Sequence, residues 1–232
     1  MRKKIVNGLA LLLCVMCIFV TGIYTAIELI AYSDSFYERQ FEAADVSGDT
    51  KISPDDLKLI SQEIQHFLKG EREDFDISAP VDGVMTPLFG DQEQFHMKEV
   101  QVLFLRFRTV RNLCLILLAA LLLWSFWRGV ENGFRLLKRA SITLLVFLGL
   151  VGLGVLFFFE PVFTLFHELL FDNDLWLFPW SSYLIRILPE SFFVACGVRI
   201  VGMNLILYVL VLVFSLWGLR LRSKRGEKNH ER

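Results

Sequence analysis

Cysteine is scarce where an extracellular domain would need it. Of the four cysteines in the 232-residue chain, none lies between Cys17 and Cys114, which bound the longest polar stretch, so that stretch is not braced by disulfides. Familiar catalytic signatures are missing too. There is no H-E-x-x-H zinc helix, because His167-Glu168 is followed four residues after the histidine by Phe171, and there is no G-x-S-x-G elbow and no P-loop. Basic residues fall in short clusters beside apolar runs and form no face for nucleic acid.

Apolar surface is abundant instead. Hydrophobic residues make up 54% of the chain and aromatics 14%, outside the range of an ordinary soluble domain. A helix crossing the ~30 Å hydrocarbon layer needs about 20 mostly apolar residues. Four runs qualify: Ile5 to Tyr32, Leu113 to Trp127 with extensions at both ends, Ala140 to Phe159, and Ile200 to Leu219. The first has the basic start of a signal peptide, but its apolar stretch is too long and no A-x-A-like site follows, so it reads as a retained helix. Leu13 and Met16, not small residues, precede Cys14 and Cys17, which argues against a lipoprotein signal. The C-x-x-C of Cys14 and Cys17 would lie mid-membrane and reads as packing, as do Cys114 and Cys196.

Charge sets the expected orientation. Arg2, Lys3 and Lys4 precede the first run, Arg128, Arg135, Lys138 and Arg139 separate the second and third, and Arg220, Arg222, Lys224, Arg225 and Lys228 follow the fourth. The positive-inside rule puts both termini in the cytoplasm. The expected order is transmembrane helix 1 in 1–32, an extracytoplasmic region in 33–105, helix 2 in 106–128, a cytoplasmic loop in 129–139, helix 3 in 140–159, an extracytoplasmic interfacial segment in 160–199, helix 4 in 200–219 and a cytoplasmic tail in 220–232. The first outer region holds sixteen Asp and Glu against six Lys and Arg, an asymmetry hidden by a net charge of −1.

The outer regions carry local signals. Aromatics at 36, 37 and 41 suggest a short helix on the membrane surface. Ser53 and Pro54 open a helix whose stripe is Leu57, Ile60, Ile64 and Phe67 and whose stop is Gly70; His66 lies off that stripe. Residues 45–56, DVSGDTKISPDD, partly match a calcium loop through Asp45, Ser47 and Asp49, but Thr50 stands where glycine is needed and Asp56 where glutamate is needed. Asp82-Gly83 marks a tight hairpin, and a helix from Glu93 onward runs into the second span. VFTLFHELLF is too short to span and amphipathic enough to lie in the interface, and Glu160-Pro161 reads as the end of the third span. The fold class expected is therefore an all-α polytopic membrane protein, four transmembrane helices with a small extracytoplasmic helix-plus-hairpin subdomain.

Two histidines stand out, His96 and His167, one in each outer region and expected at the same depth, each beside carboxylates and aromatics. Imidazole takes and returns protons near neutral pH. Read on chemistry alone, the pair suits proton transfer, or with nearby acids a zinc-dependent membrane hydrolase, while the acidic loop leaves a non-enzymatic calcium- or ligand-sensing protein as a further alternative. Transport fits less well, since Glu28 is the ionisable residue well inside a span.

The pattern E-x-x-H-M-x-[DE]-V at Glu93, His96, Met97, Glu99 and Val100, with F-H-x-x-x-F-x-N-D-x-W at Phe166 to Trp176 and L-I-x-x-L-P-E-x-F-F at Leu184 to Phe193, resembles the four-helix membrane family of bacterial lipoprotein intramolecular transacylases. Glu99 stands where aspartate is expected, and Ser182 where an acid is expected. The resemblance implies transfer of the sn-2 acyl chain of a diacylglyceryl-cysteine lipoprotein onto that cysteine's own α-amine, giving an N-acyl lyso-form. It implies His96 and His167 as catalytic residues supported by Glu93, Glu99, Asn173, Asp174, Trp176 and Glu190, with no cofactor and no metal. The implied partners are diacylglyceryl-modified bacterial lipoproteins and the lipid bilayer, and the implied place is the outer face of the bacterial plasma membrane. His167 is favoured as base and His96 as its partner, though the sequence does not order them.

Overall fold

The computed structural model describes residues 2–230; the side chains of residues 2, 3, 155, 156 and 224–230 lie outside the described part, among them the flanking bases Arg2, Lys3, Lys224, Arg225 and Lys228. The helices are α1 (Arg2–Ala31), α2 (Asp34–Ala43), α3 (Val46–Thr50), α4 (Pro54–Lys69), α5 (Asp91–Trp127), α6 (Val130–Phe157), α7 (Phe159–Leu170), α8 (Tyr183–Ile187) and α9 (Glu190–His230), with one hairpin, β1 (Ser78–Val81) and β2 (Val84–Pro87). Among the described residues, α1, α5, α6 and α9 contain the four stretches long and apolar enough to cross a membrane, as the sequence implies. The chain divides into two compact units.

One unit comprises Met1–Ala26, Thr109–Leu153 and Ile200–Arg232. Its core is Cys14, Ile18, Leu136, Leu137, Ala140, Leu144, Leu148 and Tyr208, all buried. Outward it leaves Ile116, Leu123 and Leu210 exposed, an arrangement that suits hydrocarbon rather than water as the surrounding medium. Polar side chains here are tied down locally: Ser141 Oγ donates to the Leu137 carbonyl at 2.9 Å and Asn204 Nδ2 to the Ile200 carbonyl at 2.9 Å. Gly218 lets the Phe134 ring lie against helix backbone, where any Cβ would collide. The cysteines of the C-x-x-C are free and buried.

The other unit comprises Ile27–Arg108 and Gly154–Arg199. Ser53 caps α4 by accepting from Asp56 N, Pro54 occupies its first turn, and Gly70 closes it in the left-handed conformation. The apolar stripe of α4, Leu57, Ile60, Ile64 and Phe67, is buried, and Phe67, Phe75 and Phe89 stack in series at 4.9 and 4.6 Å. The hairpin turns on Asp82 and Gly83, both at positive φ, as a two-residue turn requires. His66 is exposed, in an ion pair with Glu71. Glu28, placed by its sequence inside a span, is paired with Arg108 at 2.9 Å.

Several expectations change. The aromatics of α2 do not lie on a membrane surface: Phe36, Tyr37 and Phe41 are buried, and Phe36 and Tyr37 pack on Phe192 at 5.3 and 5.1 Å. Residues 45–56 do not form a calcium loop, because Asp45 caps Gly48 N, Ser47 donates to the Ile52 carbonyl and Asp49 pairs with Arg186, so the three oxygens serve three different partners. Residues 129–139 are mostly helix, since α6 begins at Val130 directly after Gly129. Pro161 does not end a helix; it lies in the first turn of α7, where its missing N–H costs nothing, and the break falls at Phe158. Helix α9 begins at Glu190, well before the apolar run at 200. Apolar runs mark what hydrocarbon can hold, and a helix continues past them wherever its backbone bonds are not interrupted.

Between α4 and α5 one buried side chain makes a double contact. Gln101 is buried, and its Nε2 donates to the carbonyls of Phe67 at 2.6 Å and Arg72 at 2.9 Å. Gln101→Met preserves the volume but takes the donor from the Arg72 carbonyl, while the Phe67 carbonyl keeps the Gly70 N–H at 2.9 Å. It is expected to destabilise this unit by about 1 to 3 kcal/mol, read as a lowered unfolding temperature of the purified protein.

Candidate active site

Helix α5 starts with its own cap. The Gly90 N–H donates to Glu93 Oε2 at 3.1 Å, holding the first turn so that His96, one turn later, points into the unit and is 7% exposed. Helix α7 is amphipathic: Leu165, Phe166 and Leu169 are exposed, while His167 is buried, also 7% exposed. The two imidazoles stack with ring centroids 6.1 Å apart and 28° between planes. The fold thus brings together the two histidines that the sequence singles out.

Aromatic rings enclose both. Phe171 lies 5.0 Å from the His96 ring and 5.6 Å from that of His167, Phe178 meets His96 edge-on at 5.5 Å, and Trp176 stacks on His167 at 4.7 Å and 28°. Phe163 adds a ring at 4.2 Å. The same residue's carbonyl lies 2.8 Å from His167 Nδ1. A carbonyl only accepts, so Nδ1 carries the proton and Nε2 of the neutral ring is left with its lone pair. His96 Nδ1 is buried without a hydrogen-bond partner among the described residues.

The rings come largely from a strap, residues 171–182, that has no regular secondary structure. Side chains of α5 hold it. Gln92 Nε2 donates to the carbonyls of Leu175 at 3.0 Å and Leu177 at 3.1 Å, Asn173 Nδ2 donates to Glu99 Oε1 at 2.9 Å, and Ser182 Oγ donates to Glu93 Oε1 at 2.7 Å. Asn173 also closes a turn by accepting from Leu175 N at 3.0 Å. Ser182, found where an acid is expected, supplies the hydroxyl that a carboxylate beside Glu93 could not. Glu99 Oε2 is buried without a partner among the described residues.

Four of the six supporting residues, Glu93, Glu99, Asn173 and Trp176, therefore sit at or on this site. Asp174 is exposed, and its backbone carbonyl accepts from Leu177 N within the strap. Glu190 opens α9 and lines a separate open groove of about 800 Å³ with Phe36, Val194, Val198 and Arg199, which contains neither histidine. Gln92 and the Phe163 carbonyl have no place among the expected residues. The first has a faint signal, one turn before His96 on the same helix face; the second is backbone and has none. No group of three or more His, Cys, Asp or Glu able to hold a metal occurs among the described residues.

Four membrane-length helices mark an integral membrane protein, and the unit built from Ile27–Arg108 and Gly154–Arg199 holds a buried, aromatic-walled histidine pair. Residues 12–193 match the family described as lipoprotein intramolecular transacylase Lit, and the chain belongs to that family of bacterial multi-pass membrane proteins. An in meso structure of the membrane-integral lipoprotein intramolecular transacylase of Bacillus cereus superposes with a TM-score of 0.77 at 21% identity, covering 96% of this chain and 99% of that one. A form of the Bacillus cereus protein with one histidine replaced by alanine gives a TM-score of 0.76 at 18% identity, covering 96% and 98%. At such identities the likeness is one of fold. An uncharacterized protein of Aquifex aeolicus strain VF5 is 31% identical over 144 residues, 60% of this chain, and the chain spans 61% of that relative's length.

Burial holds the His167 imidazole below its ordinary pKa, since the cation loses more solvation than the neutral ring, and the Phe163 carbonyl offsets only part of this. At any given pH a larger share of the ring is therefore neutral than of a free histidine. Titration of the labelled imidazole by NMR is expected to give a midpoint below that of free histidine.

Proposed function

We propose that the chain catalyses intramolecular acyl transfer from the sn-2 ester of a diacylglyceryl-cysteine lipoprotein to its α-amine, with His167 as general base. The observation that carries this reading is the bond from His167 Nδ1 to the Phe163 carbonyl, which leaves Nε2 as the acceptor in a chain of this family. The amine nitrogen attacks the ester carbonyl carbon and loses a proton to His167 Nε2. The bond to the glyceryl oxygen then breaks and that oxygen takes back the proton held on His167 Nε2, leaving an amide and a free hydroxyl. His96, stacked on His167 and kept neutral by burial, donates a hydrogen bond to the oxyanion or to the leaving oxygen. Glu99 Oε2 is an acceptor for the amine's remaining N–H.

Magnitudes assign the larger part to the walls. An α-amine of pKa near 7.7 to 8.0 costs only about 1.4 kcal/mol to deprotonate at pH 7. Holding ester and amine of one molecule in contact contributes roughly 7 to 11 kcal/mol, and a donor on the oxyanion about 3 to 4. The basic residues flanking the first, third and fourth runs support cytoplasmic termini and an extracytoplasmic site. Lipid-anchored substrate would then reach the histidines from the outer leaflet.

Purified protein is expected to convert a diacylglyceryl lipopeptide to its N-acyl lyso-form, read by mass spectrometry. His167→Ala and His96→Ala should each lower turnover about 100-fold or more; near-normal turnover in a folded variant would remove that histidine from the mechanism. Protein stripped with a chelator and shown metal-free is expected to retain its turnover, and restoration only by added zinc would instead favour a metal-dependent hydrolase.

A further inference from the structure

The strap that walls the site is held in an unusual way at its middle. Residues 171–182 lack helix and strand, so their carbonyls have no ladder to join. Two of them, at Leu175 and Leu177, accept from the single carboxamide nitrogen of Gln92. Each belongs to the peptide unit leading into the next residue, Trp176 in one case and Phe178 in the other. Those are the rings that pack on the two histidines, Trp176 flat on His167 and Phe178 edge-on to His96. Gln92 also lies one turn before His96 on α5, so it is fixed relative to that ring by continuous helix.

We propose that Gln92 is a positioning residue for this centre: its one carboxamide grips the peptide units that carry Trp176 and Phe178, and through those rings fixes the placement of both histidines. The proposal rests on the acyl-transfer reading for its effect on turnover. Its physical basis is economy of constraint. An amide nitrogen has two N–H groups and so satisfies two carbonyls at once, and two carbonyls two residues apart define both the height and the tilt of the segment between them. Leu175 and Leu177 are themselves outward-facing, 37% and 57% exposed, so their side chains do not anchor the segment inward. The other side-chain hydrogen bonds of the strap with α5, at Asn173 and Ser182, lie at its two ends, so in the middle the backbone is held from α5 by Gln92.

A misplacement of about 1 Å in a catalytic group costs on the order of 100-fold in rate, so this grip has a kinetic signature distinct from stability. In Gln92→Met, which keeps the shape and loses both donors, kcat should fall about 10- to 100-fold while KM stays within about threefold. Loosening of Trp176 admits water to His167, so its titration midpoint and the acid limb of the kcat profile should both move up toward the value of free histidine. Gln92→Leu serves if the Met variant does not fold. The NMR titration of His167 decides: a midpoint matching the wild type overturns the proposal, whatever happens to yield or melting temperature. That measurement needs no turnover. A wild-type protein unable to convert the lipopeptide would strike the acyl-transfer reading, while the titration still settles the role of Gln92.

Discussion

One hydrogen bond determines what the site is. With Nδ1 of His167 committed to the Phe163 carbonyl four residues back on α7, the imidazole has one tautomer and one open nitrogen. Were that carbonyl turned away, the ring would be free to present a donor where it now presents an acceptor. The bond in turn needs α7 to be helical through residue 167, and it needs the ring kept from rotating by Trp176 and Phe171 on its faces. The chemistry therefore depends on backbone geometry first and on side-chain identity second.

The same device recurs at two levels. Gln101 and Gln92, both on α5, each use one carboxamide nitrogen to meet two carbonyls, Gln101 in the last turn of α4 and just beyond it, Gln92 in the irregular strap. Gln101 does this in a buried setting and serves stability, since unmet carbonyls there carry a desolvation cost. Gln92 does it in a more exposed setting, where such bonds contribute little energy, and serves geometry. A long helix that begins above the apolar run is well suited to both, because it offers a rigid row of side chains to irregular chain on either side.

Much of this was legible in the sequence. The four spans, the cap and stop of α4 and the Asp82-Gly83 turn all come from local rules that tertiary context did not overturn, and the two histidines singled out in separate regions meet in the fold. What was illegible has common causes. Helix ends were misplaced at 129–139, at Pro161 and before 200 because hydropathy reports where lipid can be, whereas helices end where hydrogen bonds end. The calcium resemblance at 45–56 failed because carboxylates and hydroxyls that fit ion ligation fit helix capping and ion pairs equally well. Phe36, Tyr37 and Phe41 resemble interface anchors by composition, and it is the packing of α2 against α4, with Phe192 from far along the chain against Phe36 and Tyr37, that makes them core. The Phe163 carbonyl belongs to a residue chosen for its ring, so no letter code announces it.

Trp180 is 91% exposed and Leu177 57%, on the same strap whose inner side carries the rings around the histidines. Apolar surface left bare gains about 25 cal/mol per Å² when it is covered, so the strap's outer side needs a neighbour that the chain itself does not provide. Whatever apolar medium covers that side also bears on the segment that carries Trp176 and Phe178, so two media that hold the four long helices equally well would load that segment differently.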